Sequence, residues 1–356
     1  MNKKRALLAT TALAAAAQFG LAAPAMADSK WNMEVGGFMN QYFGYAEGAG
    51  KDNGGFDSQS DTEIHFTPSI MLDNGLHVGV NVQLEGQSDE GSVLDPRGDQ
   101  IDQQFLFVEG SFGRLELGSN DSAPYTMQIG VPSAGVGLDS GDAADWIGGI
   151  NNDLISTMNN FSRDEDSSEK VNYYTPRFAG FQLGVSYVPQ VGSEDVDGPP
   201  SENDGTRDDG FGIGLNYDRT FNDFSIGASA GYMYYGDDDA AVGPSPENYG
   251  FGLSLGYAGF TLAGAYNNLE DSVAGDLETF GVGLVYEFDK VAVSFGYIHG
   301  DDDSSQADSD AFELGASYAL GPGVSVIGSI YYVDQDSPAG ADLEGGAAVA
   351  GLALSF

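Results

Sequence analysis

The sequence predicts an all-β protein, a 16-stranded antiparallel transmembrane β-barrel. Three observations predict it: apolar residues alternate with small or polar ones, the alternating segments run for about 9 to 13 residues, and short connections alternate with long ones. A tilted strand needs about 9 to 11 residues to cross a bilayer, whereas strands of soluble proteins average about 5 to 6. The chain is therefore expected to enter a membrane with strands.

The alternation is clearest in the second half of the chain. Residues 211–217, 251–257 and 291–297 read FGIGLNY, FGLSLGY and VAVSFGY. Each segment has one apolar face, as expected for a strand between lipid and water, so the small and polar residues of the other face are predicted to line a channel. Tyrosines near the strand ends suit the aromatic girdles of membrane barrels. They are Tyr217, Tyr232, Tyr257, Tyr266, Tyr286, Tyr297 and Tyr318.

The connections alternate strictly in length. Seven are short, at 73–75, 111–113, 176–180, 219–223, 258–259, 288–290 and 320–323; eight are long, at 46–60, 87–100, 120–168, 189–209, 236–247, 268–276, 299–309 and 333–344. This order puts all long loops on one rim, here called the long-loop rim, and all turns on the other, the short-turn rim. The stretch GGAAVAGLALSF at 345–356 predicts a closing strand that pairs with residues 31–45.

The first 27 residues have the pattern of a secretory signal peptide. Lys3, Lys4 and Arg5 precede an apolar run, and Ala25-Met26-Ala27 has the small-x-small form of a cleavage site. Residues 28–356 are expected to form a single barrel domain. An exported protein is therefore predicted.

The composition is strongly acidic. The predicted leader holds three of the 13 Lys and Arg residues, which leaves ten against 54 Asp and Glu, a formal charge of −44 after residue 27. Such a charge excludes a phosphate-backbone binder, so no nucleic-acid partner is expected. With 41% hydrophobic residues, 21 Phe and 18 Tyr, the chain is not of the disordered class. It has no Cys and hence no disulfides.

Three motifs carry a family resemblance: FVEGSFGRLELG at 107–118, VNYYTPRFAGF at 171–181 and the final GLALSF. With their order and spacing, the chain resembles the general bacterial porins, most closely the trimeric 16-stranded porins of alphaproteobacteria. The resemblance implies a homotrimer in the outer membrane of a Gram-negative bacterium, among lipid and lipopolysaccharide. It also implies an inward-folded third loop, residues 120–168, here called the constriction loop. Gln104, Ser119 and Asn172 stand where the family commonly has wall arginines.

The predicted function is passive diffusion of small hydrophilic solutes and ions, with preference for cations, because a 16-stranded barrel leaves an aqueous channel and carboxylates at a constriction favour cations. The candidate constriction residues are Asp139, Asp142, Asp145 and Asp153. The alternative for each is that it points into the barrel wall or caps a turn within the loop. No catalytic residue and no cofactor is predicted, although the acidic loops suit loosely bound calcium or magnesium.

Other functions remain open at this point. A substrate-specific channel, for example for sugars, would use lumen aromatics such as Phe38, Trp146 and Tyr331. A barrel hydrolase would need a pair such as His77 with Ser69, and an adhesin would use the Arg97-Gly98-Asp99 tripeptide.

Overall fold

The computed structural model describes residues 31–48, 54–86, 101–139, 142–158, 168–191, 207–236, 245–270, 275–336 and 342–356. The predicted signal peptide, the Arg97-Gly98-Asp99 tripeptide and Arg163, the single basic residue of the sequence 120–168, lie outside these residues. Among the described residues no helix is long and apolar enough to span a membrane.

The described residues form sixteen antiparallel strands in one closed barrel, which confirms the predicted fold class. The strands are β1 (Trp31–Gly48), β2 (Gly54–Met71), β3 (His77–Glu85), β4 (Ile101–Gly110), β5 (Gly113–Ser119), β6 (Glu169–Tyr174), β7 (Phe181–Val191), β8 (Arg207–Phe221), β9 (Phe224–Tyr234), β10 (Glu247–Tyr257), β11 (Phe260–Glu270), β12 (Leu277–Phe288), β13 (Val291–Asp302), β14 (Ala307–Gly321), β15 (Val324–Asp336) and β16 (Leu343–Ser355).

Every strand pairs with its sequence neighbour, and β1 pairs with β16 to close the barrel. The closing ladder runs from Phe38 opposite Ser355 to Gly48 opposite Gly345. Beyond it, the Phe356 N–H donates to the Gly37 carbonyl at 3.0 Å. From Gly37 onward, the backbone groups of β1 are thus paired with those of β16, as a lipid environment requires.

The first hairpin differs from the predicted loop bounds. Residues 46–60 were expected to form a loop, but the β1–β2 ladder continues to the pair Glu47–Gly54. Apart from Phe56, the residues here are polar or small, a composition typical of loops. In an antiparallel hairpin, however, backbone hydrogen bonds extend the ladder whatever the side chains, as long as both faces tolerate them.

The outer face of the barrel carries apolar side chains between two bands of tyrosine. On the short-turn rim Tyr257 and Tyr318 are exposed. On the long-loop rim, tyrosine hydroxyls bond to carboxylates of the next strand in five hairpins. The pairs are Tyr187–Asp209, Tyr232–Glu247, Tyr266–Glu278, Tyr297–Asp310 and Tyr332–Glu344. In each pair the aromatic ring adjoins the apolar belt, and the carboxylate lies at the rim beyond it. This is the arrangement expected at a membrane interface.

The constriction loop contains the described helical segments: α1 (Ala123–Met127), α2 (Asp142–Trp146) and a 3₁₀ turn at Asn152–Ile155. Leu138, Ala143, Ile147 and Ile155 of this loop are buried with wall residues in one apolar cluster. The loop therefore lies inside the barrel, as the resemblance implies, and it narrows the channel.

Candidate pore constriction

Serine hydroxyls of the inner wall hold the first part of the constriction loop. The serines lie on strands β7, β9, β13 and β15, and each accepts a hydrogen bond from an N–H group of the loop. The pairs are Ser186 with Ala123 (2.7 Å), Ser229 with Ile129 (2.9 Å), Ser294 with Ala134 (2.9 Å) and Ser329 with Val136 (2.8 Å). These bonds satisfy loop backbone donors that are withdrawn from water. They also fix the path of the loop around the wall.

Three of the small inward residues predicted to line the channel, Gly212, Gly252 and Ser294, are instead covered by the loop. A Cβ at Gly252 would collide with the backbone of Ile129, and one at Gly212 would press on Pro124. Ser294 is likewise covered by the loop. Small side chains are needed at these positions because the loop backbone approaches the wall closely.

Asp139 is buried rather than exposed to the lumen, at 1% exposure, so its predicted role in the constriction is wrong. Its carboxylate accepts hydrogen bonds from the Val131 N–H (2.6 Å), the Thr157 N–H (2.5 Å) and the Thr157 hydroxyl (2.7 Å). Burial raises the pKa of the Asp139 carboxyl, while these donors oppose the rise. Asp139 thus joins the outgoing part of the loop at Val131 to the returning part at Thr157. Its role is to organise the loop backbone rather than to face the channel.

Asp145 lies on α2, next to Trp146, which packs into the wall. The Trp146 ring lies against Gly44 of β1, where a Cβ would collide with it. Gln59 of β2 donates its Nε2 hydrogen to the Asp145 carbonyl at 2.9 Å. The Asp145 side chain remains exposed, and partial desolvation raises the pKa of its carboxyl. Asp145 is thus held beside the first strands of the barrel.

The two other predicted aspartates lie in the helical segments of the constriction loop. Asp142 is the first residue of α2, and its side chain lies outside the described part of the structure. Asp153 is exposed in the 3₁₀ turn, with its N–H bonded to the Asn151 Oδ1 at 3.1 Å. Asp142 and Asp153 remain predictions as constriction residues.

The wall beside Asp145 carries four carboxylates, here called the acidic wall: Asp61 and Glu63 on β2, Glu85 on β3 and Asp102 on β4. Oxygens of Glu63, Glu85 and Asp102 lie within 4.8 Å of one another. Asp145 and Glu63 are close enough to Asp61 for their charges to interact. The loop and the wall therefore present acid to the same part of the channel.

Sequence reasoning missed the acidic wall, although a signal for it was present. Glu63 and Asp61 precede His65 at two-residue intervals, so the three side chains share one face of β2. The prediction of loops at residues 46–60 and 87–100 leaves these acids at strand ends, where a shared inward face is not evident. Pairing of Glu63 with Glu85 across β2 and β3 follows only from the register.

Basic side chains of the neighbouring wall are held by acids or by loop backbone. On β5, the Arg114 Nε donates to Glu116 at 2.6 Å and its Nη1 to Glu109 at 3.5 Å. On β6, Lys170 is 3% exposed and donates to the Asn120 carbonyl. Neither cation is therefore presented freely to the channel, so among the described residues of this part of the wall the acidic wall has no arginine counterpart.

The positions expected to replace family arginines have other roles. Gln104 lies two residues before the exposed Leu106 on β4, so its side chain is on the outer face of the barrel. Ser119 is 1% exposed and Asn172 is buried, donating from its Nδ2 to the Asp121 carbonyl at 2.7 Å. Asn172 thus belongs to the loop anchors rather than to the channel surface.

The residues proposed for other functions are also accounted for. Trp146 and Tyr331 are buried in one apolar cluster beneath the loop, so they offer no exposed aromatic track. Phe38 packs edge-on against His65 at 6.4 Å. The His65 Nε2 lies 2.5 Å from Glu63, and the His77 Nδ1 lies 4.0 Å from Glu109. Both histidines thus contact carboxylates.

Comparison with known proteins identifies relatives of the same architecture. A family model described as Gram-negative porin matches residues 9–338. The major outer membrane protein P.IB of Neisseria sicca is 27% identical over 247 residues, 66% of this chain and 65% of that protein. An uncharacterized protein of Rickettsia prowazekii is 28% identical over 149 residues, 36% of this chain and 33% of that protein. The chain thus spans less than two thirds of either relative.

Two solved structures share the fold. An anion-selective porin from Comamonas acidovorans has a TM-score of 0.65 at 15% identity, covering 92% of this chain and 100% of that one. A porin refined at 1.8 Å resolution has a TM-score of 0.62 at 20% identity, covering 91% and 100%. The family match extends over most of the sequence, and the sixteen-stranded barrel agrees with it. The chain therefore belongs to the Gram-negative porin family, whose members are outer-membrane channels rather than enzymes.

Proposed function

We propose that this protein is a diffusion channel for small hydrophilic solutes and ions and that it prefers cations. The observation that carries the preference is the convergence of Asp145 with the acidic wall, while Arg114 and Lys170 are held elsewhere. In water-like surroundings one carboxylate attracts a monovalent cation at ~5 Å by on the order of 1 kcal/mol and repels an anion equally. Several such groups at a narrow point favour cation entry.

The acidic wall argues against anion selectivity, the property described for one structural neighbour. The Comamonas porin is described as anion-selective, and anion selectivity would call for unpaired Arg or Lys at the narrow point. A sugar channel receives no support from Trp146 and Tyr331, which are buried. General diffusion with cation preference is therefore the function favoured by the side chains.

The test is the reversal potential of the purified protein in a planar bilayer under a potassium chloride gradient. We expect cation preference in the wild type and a permeability ratio close to one in the triple variant Glu63→Gln, Glu85→Gln, Asp145→Asn. The matched control is Asp308→Asn, Asp310→Asn, Asp334→Asn, which removes three charges from the outer face of β14 and β15.

Three results would count against the proposal. Absence of conductance in the wild type would contradict the proposed channel function. Conductance without cation preference would contradict the proposed selectivity. An equal loss of preference in the triple variant and its control would show that overall charge, and not the acidic wall, sets the selectivity.

We also propose a homotrimer among outer-membrane lipid and lipopolysaccharide, as the family resemblance implies. The likeness to porins supports this assembly. Light scattering with size-exclusion chromatography in detergent measures the mass directly, with three copies expected and one copy contradicting the proposal.

A further inference from the structure

The outer face of the barrel carries a row of carboxylates at the long-loop rim. Glu278 lies directly opposite Asp301, Asp301 opposite Asp308, and Asp308 opposite Asp336, on four adjacent strands. Glu278 shares its face with the exposed Phe280 and Val282, so the row faces away from the lumen. Like charges directly opposite each other on neighbouring strands are destabilising. A bound counter-cation would relieve this repulsion.

A cavity of about 340 Å³ opens at one end of this row. Its oxygen-bearing side chains are Asn268, Asp276, Glu278, Asp301 and Asp303. Asn268, Glu278 and Asp301 belong to β11, β12 and β13, whereas Asp276 directly precedes β12 and Asp303 directly follows β13. Phe280 and His299 complete the lining, with ring centroids 5.3 Å apart. The His299 Nδ1 lies 3.1 Å from Asp310, which adds a further carboxylate behind the cavity.

Asn268 provides an observation independent of the acidic residues. Its side chain lines the cavity but is only 9% exposed, and its Oδ1 has no hydrogen-bond partner among the described residues. Its cross-strand neighbour is Glu278, whose side chain offers acceptor oxygens. A buried carbonyl oxygen left without a donor is destabilising, because it has lost its hydrogen bonds to water. A cation, or water held by one, would satisfy it.

We propose that this cavity is a binding site for a hydrated divalent cation of the calcium or magnesium class. Carboxylate and amide oxygens are the ligands that these hard cations prefer, and magnesium in particular keeps several of its waters. The cavity is wide enough for an ion with its water shell, whose hydrogens can reach the carboxylates and the Asn268 oxygen. The site lies on the outer face beside Phe280 and Tyr297, at the polar edge of the membrane.

The experiment is a calcium and magnesium titration of the full-length protein in detergent by isothermal calorimetry, in about 0.1 M potassium chloride to screen diffuse attraction. We expect one saturable site per chain in the wild type. In Glu278→Gln, Asp301→Asn the affinity is expected to fall at least tenfold, and Asn268→Ala is expected to weaken binding without any change in charge. The control Asp334→Asn, Glu344→Gln removes the same charge from strands outside the cavity and is expected to bind within twofold of wild type.

The reversal-potential assay separates this proposal from the proposed function. All these variants change the outer face, so a folded variant keeps the conductance and cation preference of the wild type whether or not it binds the ion. Absence of saturable binding in the wild type would overturn the site. Equal weakening in the cavity variant and its control would do the same, because it would indicate a diffuse ion atmosphere. Saturable binding of spermidine, but of neither metal ion, would replace the proposed ion with an organic cation.

Discussion

Two aspartates of the constriction loop, six positions apart, have opposite surroundings. Asp139 is enclosed by donors from Val131 and Thr157, whereas Asp145 is exposed beside Asp61. An enclosed carboxylate organises the backbone around it, and an exposed one acts on passing ions. The residue type alone does not distinguish these roles, because the partners of Asp139 include Thr157, 18 positions later in the loop.

The substitution Asp139→Asn is expected to loosen the constriction loop. The new amide would point a donor at groups that are themselves donors, leaving a buried N–H or hydroxyl unpaired at a cost of about 1–3 kcal/mol. Limited proteolysis in detergent is expected to cut the loop faster than in wild type. Asp145→Asn removes the same charge and is the control; equal cleavage of the two variants would contradict the role given to Asp139.

The cation preference is expected to fall on acidification, and Asp145 contributes early to that fall. Its pKa is raised, so it takes up a proton, and loses its attraction for cations, at a higher pH than an aspartate with an ordinary pKa. Reversal potentials measured from neutral to acidic pH check this. In Asp145→Asn the first part of the decline is expected to disappear; an unchanged profile would contradict the assignment.

Among the elements, the strands were predictable from sequence and the path of the loop was not. Every outward position of segments such as 251–257 must be apolar, which gives a repeated pattern. The serines that hold the loop resemble any other small inward residue, and nothing local marks Ser229 as the partner of Ile129. The contacts that place α2 against β1 likewise join residues about 100 positions apart, such as Gly44 and Trp146.

The packing of α2 on β1 gives a prediction at this scale. In Gly44→Val, the added side chain would occupy the space of the Trp146 ring, so α2 must move away from the wall and carry Asp145 with it. Overpacking of this kind typically costs about 1–3 kcal/mol. Single-channel recordings are expected to show altered conductance and weaker cation preference. Gly321→Val is the control, because a Cβ there meets nothing within 4 Å; the same change in both variants would contradict the prediction.

For the whole molecule, the large negative charge makes selectivity dependent on salt. The Debye length falls from about 10 Å at 0.1 M to about 3 Å at 1 M, so only carboxylates in direct reach of the ion act at high salt. We expect the cation-to-anion permeability ratio to fall when both solutions are concentrated tenfold at a constant gradient. A ratio independent of salt would indicate steric rather than electrostatic selection.

The ladder between β1 and β16 also bears on how the protein is made. It joins Phe38 to Ser355, nearly the full length of the sequence, and contacts of such separation form late because a long chain segment must first be closed into a loop. Until that moment β1 and β16 both have open edges able to pair with other chains. During biogenesis of the barrel, both edges must therefore be shielded until they pair. Aggregation is a greater risk during assembly than in the finished fold.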